Sequence, residues 1–154
     1  MKIKDKSTLI IAILIPIAVG TLSALFSGNM SIYSQINKPA LSPPGILFPI
    51  VWTILYILMG ISSYIIYVSD SPYKADALRV YALQLFFNFC WSIIFFRFNQ
   101  FLFAFLWLIV LIALIIVMIY RFYNISKLAG YLQIPYLLWC TFAAYLNFMI
   151  YRLN

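Results

Sequence analysis

The sequence predicts an all-α membrane protein, a bundle of five transmembrane helices, and three observations carry that prediction. Of 154 residues, 66% are hydrophobic and 8% are charged, against roughly 25% charged in an ordinary soluble domain. Five apolar segments reach the length, roughly 17–25 residues, that crosses a bilayer as a helix. The chain is also short, so the five spans are expected to form one domain over residues 1–154.

The first segment, Leu9–Phe26, follows Lys2, Lys4 and Lys6. A basic start before an apolar run imitates a signal peptide. No small-residue cleavage pattern interrupts the run and further spans follow, so it reads as the first span of the mature protein. Ala12, Pro16, Gly20, Ala24 and Gly28 recur at every fourth position. Such a row lets helices approach closely, inside the bundle in preference to across a dimer seam. The link from Gly28 to Gly45 is long, polar and proline-bearing, which marks a lid rather than a plain turn. Pro39, Pro43 and Pro44 stiffen it, and Lys38 adds a charge. The second segment is Ile46–Val68, with Ser42 and Pro43 reading as N-cap and first helical position. Ser71 and Pro72 repeat that device before the third segment, Val80–Phe96. In the fourth, Phe101–Tyr120, the indole of Trp107 is the only polar group. This span is therefore expected to face lipid or another subunit, with Trp107 at the headgroup level. The fifth segment is Ile134–Ile150.

Charge sets the orientation. The amino terminus and the second and fourth loops carry Lys2, Lys4, Lys6, Lys74, Arg79, Arg121 and Lys127, seven cations. The other side carries three, Lys38, Arg97 and Arg152. The positive-inside rule then places the amino terminus in the cytoplasm and the long first loop outside. The net charge of +7 does not indicate nucleic acid, because no basic cluster with interleaved aromatics lies outside the apolar runs. Anionic lipid headgroups are the partner expected for cations at span ends.

Helical spacing sorts the inward faces. Trp52, Tyr56, Met59 and Ser63 share one face of the second span, and Gln84, Asn88, Trp91 and Phe95 one face of the third. The fifth groups Pro135, Trp139, Phe142, Ala143, Leu146 and Asn147. Amides within a bilayer need partners and turn toward the bundle interior, so Gln84 and Asn88 fix how the third helix faces. Trp52, Trp91 and Trp139 accompany polar or small residues, which suits a pocket as well as an interface. Some chemistry is excluded. The chain has no His and no Glu, and its acids, Asp5, Asp70 and Asp76, lie outside the apolar segments. Metal ligation by His, a buried carboxylate pair and a Cys–His nucleophile are all ruled out. Cys90 and Cys140 lie in apolar stretches and read as packing residues. No metal and no intrinsic cofactor is expected.

The stretch YSQINKPALSPPGILFPIVWTILYILMGISSY, Tyr33 to Tyr64, resembles the TspO/MBR family, the translocator proteins, also called tryptophan-rich sensory proteins or peripheral-type benzodiazepine receptors. QLFFNFCWSIIFF, Gln84 to Phe96, is similar to the family's third helix, and PYLLWCTFAAYLN, Pro135 to Asn147, to its fifth. The likeness runs from about Gly20 to Asn154. It implies a five-helix bundle, often a homodimer, in a membrane, here taken as a bacterial cell membrane. It also implies a pocket near the long first loop that takes porphyrins, benzodiazepine-type drugs and, in animals, cholesterol. Trp52 and Trp139 match the family's pocket tryptophans; Tyr33, Asn88, Trp91, Ala143 and Leu146 match other lining positions. Tyr56 and Gln84 join them from the spacing argument. Phe148 stands where the animal cholesterol pattern has tyrosine, which discounts a sterol as the native ligand.

The expected function is therefore an integral membrane receptor or sensor for porphyrins such as protoporphyrin IX. Light- and oxygen-dependent degradation of that porphyrin, with Trp52 and Trp139 as electron donors, is the enzymatic version of the same site. Lys38 of the lid can meet a propionate or a backbone carbonyl. The alternative is a transporter of tetrapyrroles or sterols, against which stands the absence of charge within the spans.

Overall fold

The computed structural model describes residues 3–28 and 30–154; Met1, Lys2 and Asn29, and with them the Lys2 charge counted above, lie outside the described residues. The chain forms α1 (Lys6–Phe26), α2 (Ile32–Gln35), α3 (Leu47–Tyr67), α4 (Lys74–Ser92) continued by a π-helical turn (Ile93–Arg97), α5 (Phe101–Ile125), α6 (Lys127–Tyr131) and α7 (Ile134–Leu153). Five helical stretches are long and apolar enough to cross a membrane, as expected for an integral membrane protein.

α1 begins at a cap that the apolar count missed. Asp5 Oδ1 accepts from the Ser7 N–H at 3.0 Å and Oδ2 from the Thr8 hydroxyl at 2.6 Å. The Thr8 bond, then the Ser7 bond, holds this carboxyl below the usual carboxylate range. The phenol oxygen of buried Tyr64 accepts from the N–H groups of Lys4 and Asp5, at 2.7 and 3.0 Å. These bonds pin the start of α1 to the end of α3.

Of the small-residue row of α1, Ala12, Pro16 and Gly20 pack inside the bundle, where α1 lies chiefly on α3, while Ala24 and Gly28 are exposed. Pro16, buried within α1, has no N–H, so the carbonyl of Ala12 loses its helical donor. Gly60 of α3 stands against that carbonyl. A Cβ on Gly60 would lie 2.8 Å from Ala12 O and 2.4 Å from Ile13 Cα. One turn further, a Cβ on Gly20 would fall 2.2 Å from the Tyr56 ring. Hydroxyls then tie α1 to α4: Ser23 donates to Phe89 O at 2.7 Å, and Ser27 Oγ lies 2.7 Å from Ser92 Oγ.

Three expectations are corrected. Ser42–Pro43 does not cap the second span; α3 starts at Leu47, after a turn in which the Leu47 N–H donates to Pro44 O at 3.0 Å. Ser71–Pro72 likewise precedes α4 rather than opening it. Ser71 Oγ accepts from Tyr73 N at 3.1 Å and α4 begins at Lys74, which brings Asp76 and its exposed ion pair with Arg79 onto the helix. The fourth span is longer than expected, and one face of it is core. Ala104, Leu108, Leu111, Ile115, Met118 and Phe122 are buried, at the steps of three and four that place residues on one stripe. That stripe packs on α4 and α7, while Phe103, Leu106, Val110 and Val117 on the other side are exposed. Apolarity all round told nothing of which side was covered. Trp107 stacks on Phe87 at 4.3 Å and donates to the Phe87 carbonyl at 2.8 Å.

Candidate ligand-binding site

A cavity of about 520 Å³ opens between α1, α3, α4, α7 and the long loop. That volume falls within the range of small-molecule sites, roughly 300–1,000 Å³. Each wall follows from the packing above. α1 contributes Ile17 together with Gly20 and Ala24, the last two small enough to leave room. α3 contributes Phe48, Trp52 and Tyr56; α4 and its π turn contribute Asn88, Trp91, Phe95 and Phe96; α7 contributes Ala143, Leu146 and Asn147. Tyr33 and Met30 close it from the loop. α5 supplies no described lining residue and acts as a backing helix.

The aromatic walls are held at fixed angles. Trp52 stacks on Tyr56, centroids 5.6 Å apart and planes 29° apart, and meets Tyr136 edge-on at 6.1 Å. Trp91 donates from Nε1 to Asn147 Oδ1 at 3.0 Å, and Asn147 Nδ2 donates to Phe101 O at 2.8 Å. The same indole packs on Phe95 at 5.4 Å and on Phe96 at 6.3 Å. The π turn, closed by Phe98 N–H to Ile93 O at 3.2 Å, keeps both phenyl rings at the cavity.

Beneath the cavity lies a buried relay of hydroxyls and amides. Tyr56 OH donates to Asn88 Oδ1 at 2.7 Å, Asn88 Nδ2 donates to Tyr136 OH at 2.8 Å, and Tyr136 OH donates to Gln84 Oε1 at 2.7 Å. The relay gives both ends of the Asn88 amide and the Gln84 carbonyl the partners that polar groups in a bilayer require, leaves Gln84 Nε2 without one among the described residues, and ties three helices together.

The loop is built as a folded cover. Tyr33 OH donates to Pro43 O at 2.6 Å, and Lys38 Nζ donates to Tyr33 O at 2.6 Å and to Ile36 O at 3.4 Å. Lys38 also sits 4.8 Å from the Tyr33 ring centroid. Of its two expected partners, a propionate or a backbone carbonyl, Lys38 has the carbonyls. Pro39 O accepts from Ser42 N at 3.2 Å, so Pro39, Pro43 and Pro44 each shape the loop through a carbonyl. Asn37 N–H donates to Asn154 Oδ1 at 3.1 Å and Asn154 Nδ2 to Asn37 O at 2.9 Å, which fastens the cover to the end of α7.

Of the candidate residues, Tyr33, Trp52, Tyr56, Asn88, Trp91, Ala143 and Leu146 meet at the cavity wall. Gln84 lies below, joined through Tyr136. Trp139 stands one ring behind the wall, edge-on to Phe48 at 5.7 Å, and its buried Nε1 has no acceptor among the described residues. Ala143, Leu146 and Asn147 of the expected α7 face are buried, but toward the start of the helix the buried positions are Tyr136 and Cys140, one position round from Pro135, which is exposed, and Trp139. Phe148 packs on Phe105 of α5 at 5.1 Å, away from the cavity. Sequence reasoning missed Tyr136, which the need of Asn88 for partners could have indicated. It also missed Phe48 and the α1 wall, where Gly20 and Ala24 were read as packing alone.

The TspO/MBR family model matches residues 12–152. The chain belongs to the TspO/MBR family. Relatives agree with that membership over most of the chain. The tryptophan-rich protein TspO of Chlorobaculum tepidum is 36% identical over 98% of this chain and 98% of its own. That of Archaeoglobus fulgidus is 38% identical over 95% of this chain and 96% of its own. The human translocator protein is 32% identical over 79% of this chain and 74% of its own. Every wall of the cavity and every member of the relay lies inside the TspO/MBR match.

Proposed function

We propose that this TspO/MBR protein is a membrane receptor whose cavity holds a flat apolar ring system, a porphyrin such as protoporphyrin IX in first place and benzodiazepine-type drugs in second. One observation carries the reading: the cavity is walled by a fixed Trp52–Tyr56 stack and a hydrogen-bonded Trp91, with no charged side chain among its described lining residues. A planar ligand gains apolar burial and offset stacking there, about 0.5–1.5 kcal/mol per aromatic pair beyond area. The same site supports light- and oxygen-dependent breakdown of the bound porphyrin, with an indole as electron donor. Trp52 is in direct reach and Trp139 sits behind Phe48, so Trp52 is the principal donor.

The test is a dark titration of the purified protein with protoporphyrin IX, followed by illumination. Saturable binding is expected. Trp52→Phe should weaken it by about 1 kcal/mol, the lost stacking advantage, and should slow light-driven loss of the porphyrin band at least tenfold. Trp139→Phe should slow it less, and Trp107→Phe, stacked on Phe87 outside the cavity, not at all. Equal bleaching in every variant, at the rate of free porphyrin in detergent, would leave a binder without the photochemistry.

The distribution of cations supports ligand entry from the outer face. The cover lies outside and the amino terminus in the cytoplasm, because the three outer cations are set against seven on the other side. Leu41 in the cover is 69% exposed. A cysteine at Leu41 should react with an impermeant maleimide on intact cells, and one at Lys127 only after lysis. The reverse pattern would invert the topology.

A further inference from the structure

A second recess, of about 330 Å³, lies beside the cavity at the outer end of the bundle, lined by Ser27, Gly28, Gln35, Phe96, Arg97 and Asn99 among others. Its character is the opposite of the cavity's: small polar groups and one cation. The two spaces are separated by little. Phe96 lines both, and Ser27 of the recess lies 2.7 Å, oxygen to oxygen, from Ser92 of the cavity. Phe96, this pair of hydroxyls and the 30–33 segment, whose Met30 and Tyr33 line the cavity and whose Ser31 and Ile32 line the recess, lie between the two spaces.

Arg97 is exposed at the rim of the recess and is tethered by one hydrogen bond to the backbone. It ends the π turn, the chain reverses at Asn99 with φ 53°, and Nη1 donates to the carbonyl of Phe26 at the end of α1, at 3.1 Å. A guanidinium carries five N–H donors, and among the described residues the others have no acceptor. No Asp or Glu side chain occurs on this side of the bundle: Asp5, Asp70 and Asp76 all belong to the other end. Of the other outer cations, Lys38 is engaged by Tyr33 O and Ile36 O, and Arg152 lines neither space. Gly28, at φ 74° with nothing within 4 Å of a notional Cβ, keeps the rim of the recess low.

From this juxtaposition of an apolar, ring-walled cavity and a cationic recess that share Phe96, we infer that the recess seats a carboxylate of the ligand, with Arg97 as its counter-ion. The inference rests on the binding reading above and narrows it to a class: a flat apolar ring system carrying an acidic arm on one edge. The body stays among Trp52, Tyr56 and Trp91, the arm passes Phe96, and the carboxylate accepts from the guanidinium, the pairing for which planar geometry favours Arg over Lys.

The experiment compares protoporphyrin IX with its dimethyl ester, in the dark, on the full chain in neutral detergent. The diacid should bind wild type about tenfold more tightly than the diester. Arg97→Gln should abolish that ratio while leaving diester affinity unchanged, Arg97→Lys should keep part of it, and Arg152→Gln all of it. Rising salt should weaken only the diacid. An unchanged ratio in Arg97→Gln overturns the inference, as does an equal loss in Arg152→Gln. A lipid phosphate held at Arg97 would instead make Arg97→Gln shift diacid and diester alike in bilayers containing phosphatidylglycerol, and that result also overturns it. Failure of the binding reading looks different: neither porphyrin then saturates the wild-type protein.

Discussion

Gly60→Ala is expected to lower the melting temperature by about 6 °C and to loosen ligand binding with it. The added methyl would stand 2.4 Å from Ile13 Cα and 2.8 Å from Ala12 O. Both are backbone atoms, so no side chain can rotate away, and α1 must withdraw from α3. Overpacking of this kind costs about 1–3 kcal/mol, and 1 kcal/mol shifts melting by roughly 2–4 °C in a chain of this size. The effect reaches the site because α1 is a wall. Gly20 lies against the Tyr56 ring, and a displaced α1 opens the cavity on that side. Gly45→Ala is the control, since its methyl would meet Tyr33 at an ordinary 3.7 Å. Thermal unfolding of the two variants in one detergent is the measurement. Equal melting points would show that α1 and α3 do not meet at Gly60.

How far this site could be read from the chain depended on how each residue announces itself. The five spans follow from length and apolarity, which bilayer thickness imposes directly. Gln84 and Asn88 give the inward face of the third span, because a buried amide restricts a helix to one rotation, and both are buried, as is Asn147 on the spacing-derived face of the fifth. An apolar helix carries no such marker. α5 therefore reads as facing lipid or another subunit, although six of its residues form a core stripe. Steps of three or four also leave a face uncertain by one position. That is how Pro135 was placed inward while Tyr136, the centre of the relay, was not. Polar capping chemistry misled at Ser42. The same residues that cap helices also build turns, and here they fold a cover whose contacts are long-range. Nothing local in Asn37 foretells its bonds to Asn154, at the other end of the chain. The π turn at Ile93–Arg97 had no sequence signature either, yet it aims Phe95 and Phe96 at the cavity.

Asn88→Leu should do more harm to binding than to folding. Leucine matches asparagine closely in shape, so the core stays filled, but the central member of the relay is gone. Tyr136 keeps its bond to Gln84, whereas Tyr56 loses the acceptor 2.7 Å away. An orphaned buried hydroxyl costs about 1–3 kcal/mol. Interhelical hydrogen bonds in membranes are worth less, about 0.6 kcal/mol on average and at most about 1.7. The lower range applies here, because a phenol in a bundle can turn to another partner. The predicted loss of stability is therefore about 1 kcal/mol. Turning is what damages the site. Tyr56 is the shelf on which Trp52 stacks, and a ring free to rotate about its Cβ removes the fixed angle that a flat ligand requires. Porphyrin affinity should fall about tenfold, mainly through a faster off-rate. Tyr56→Phe breaks the same bond from the other side and keeps the ring. If the hydrogen bond is the cause, the double variant Asn88→Leu/Tyr56→Phe should be less impaired than the two single effects added together, with a coupling of about 1 kcal/mol. Strict additivity in binding and in unfolding would mean that Asn88 serves the cavity only as a lining surface, and the relay would lose its role in holding Trp52.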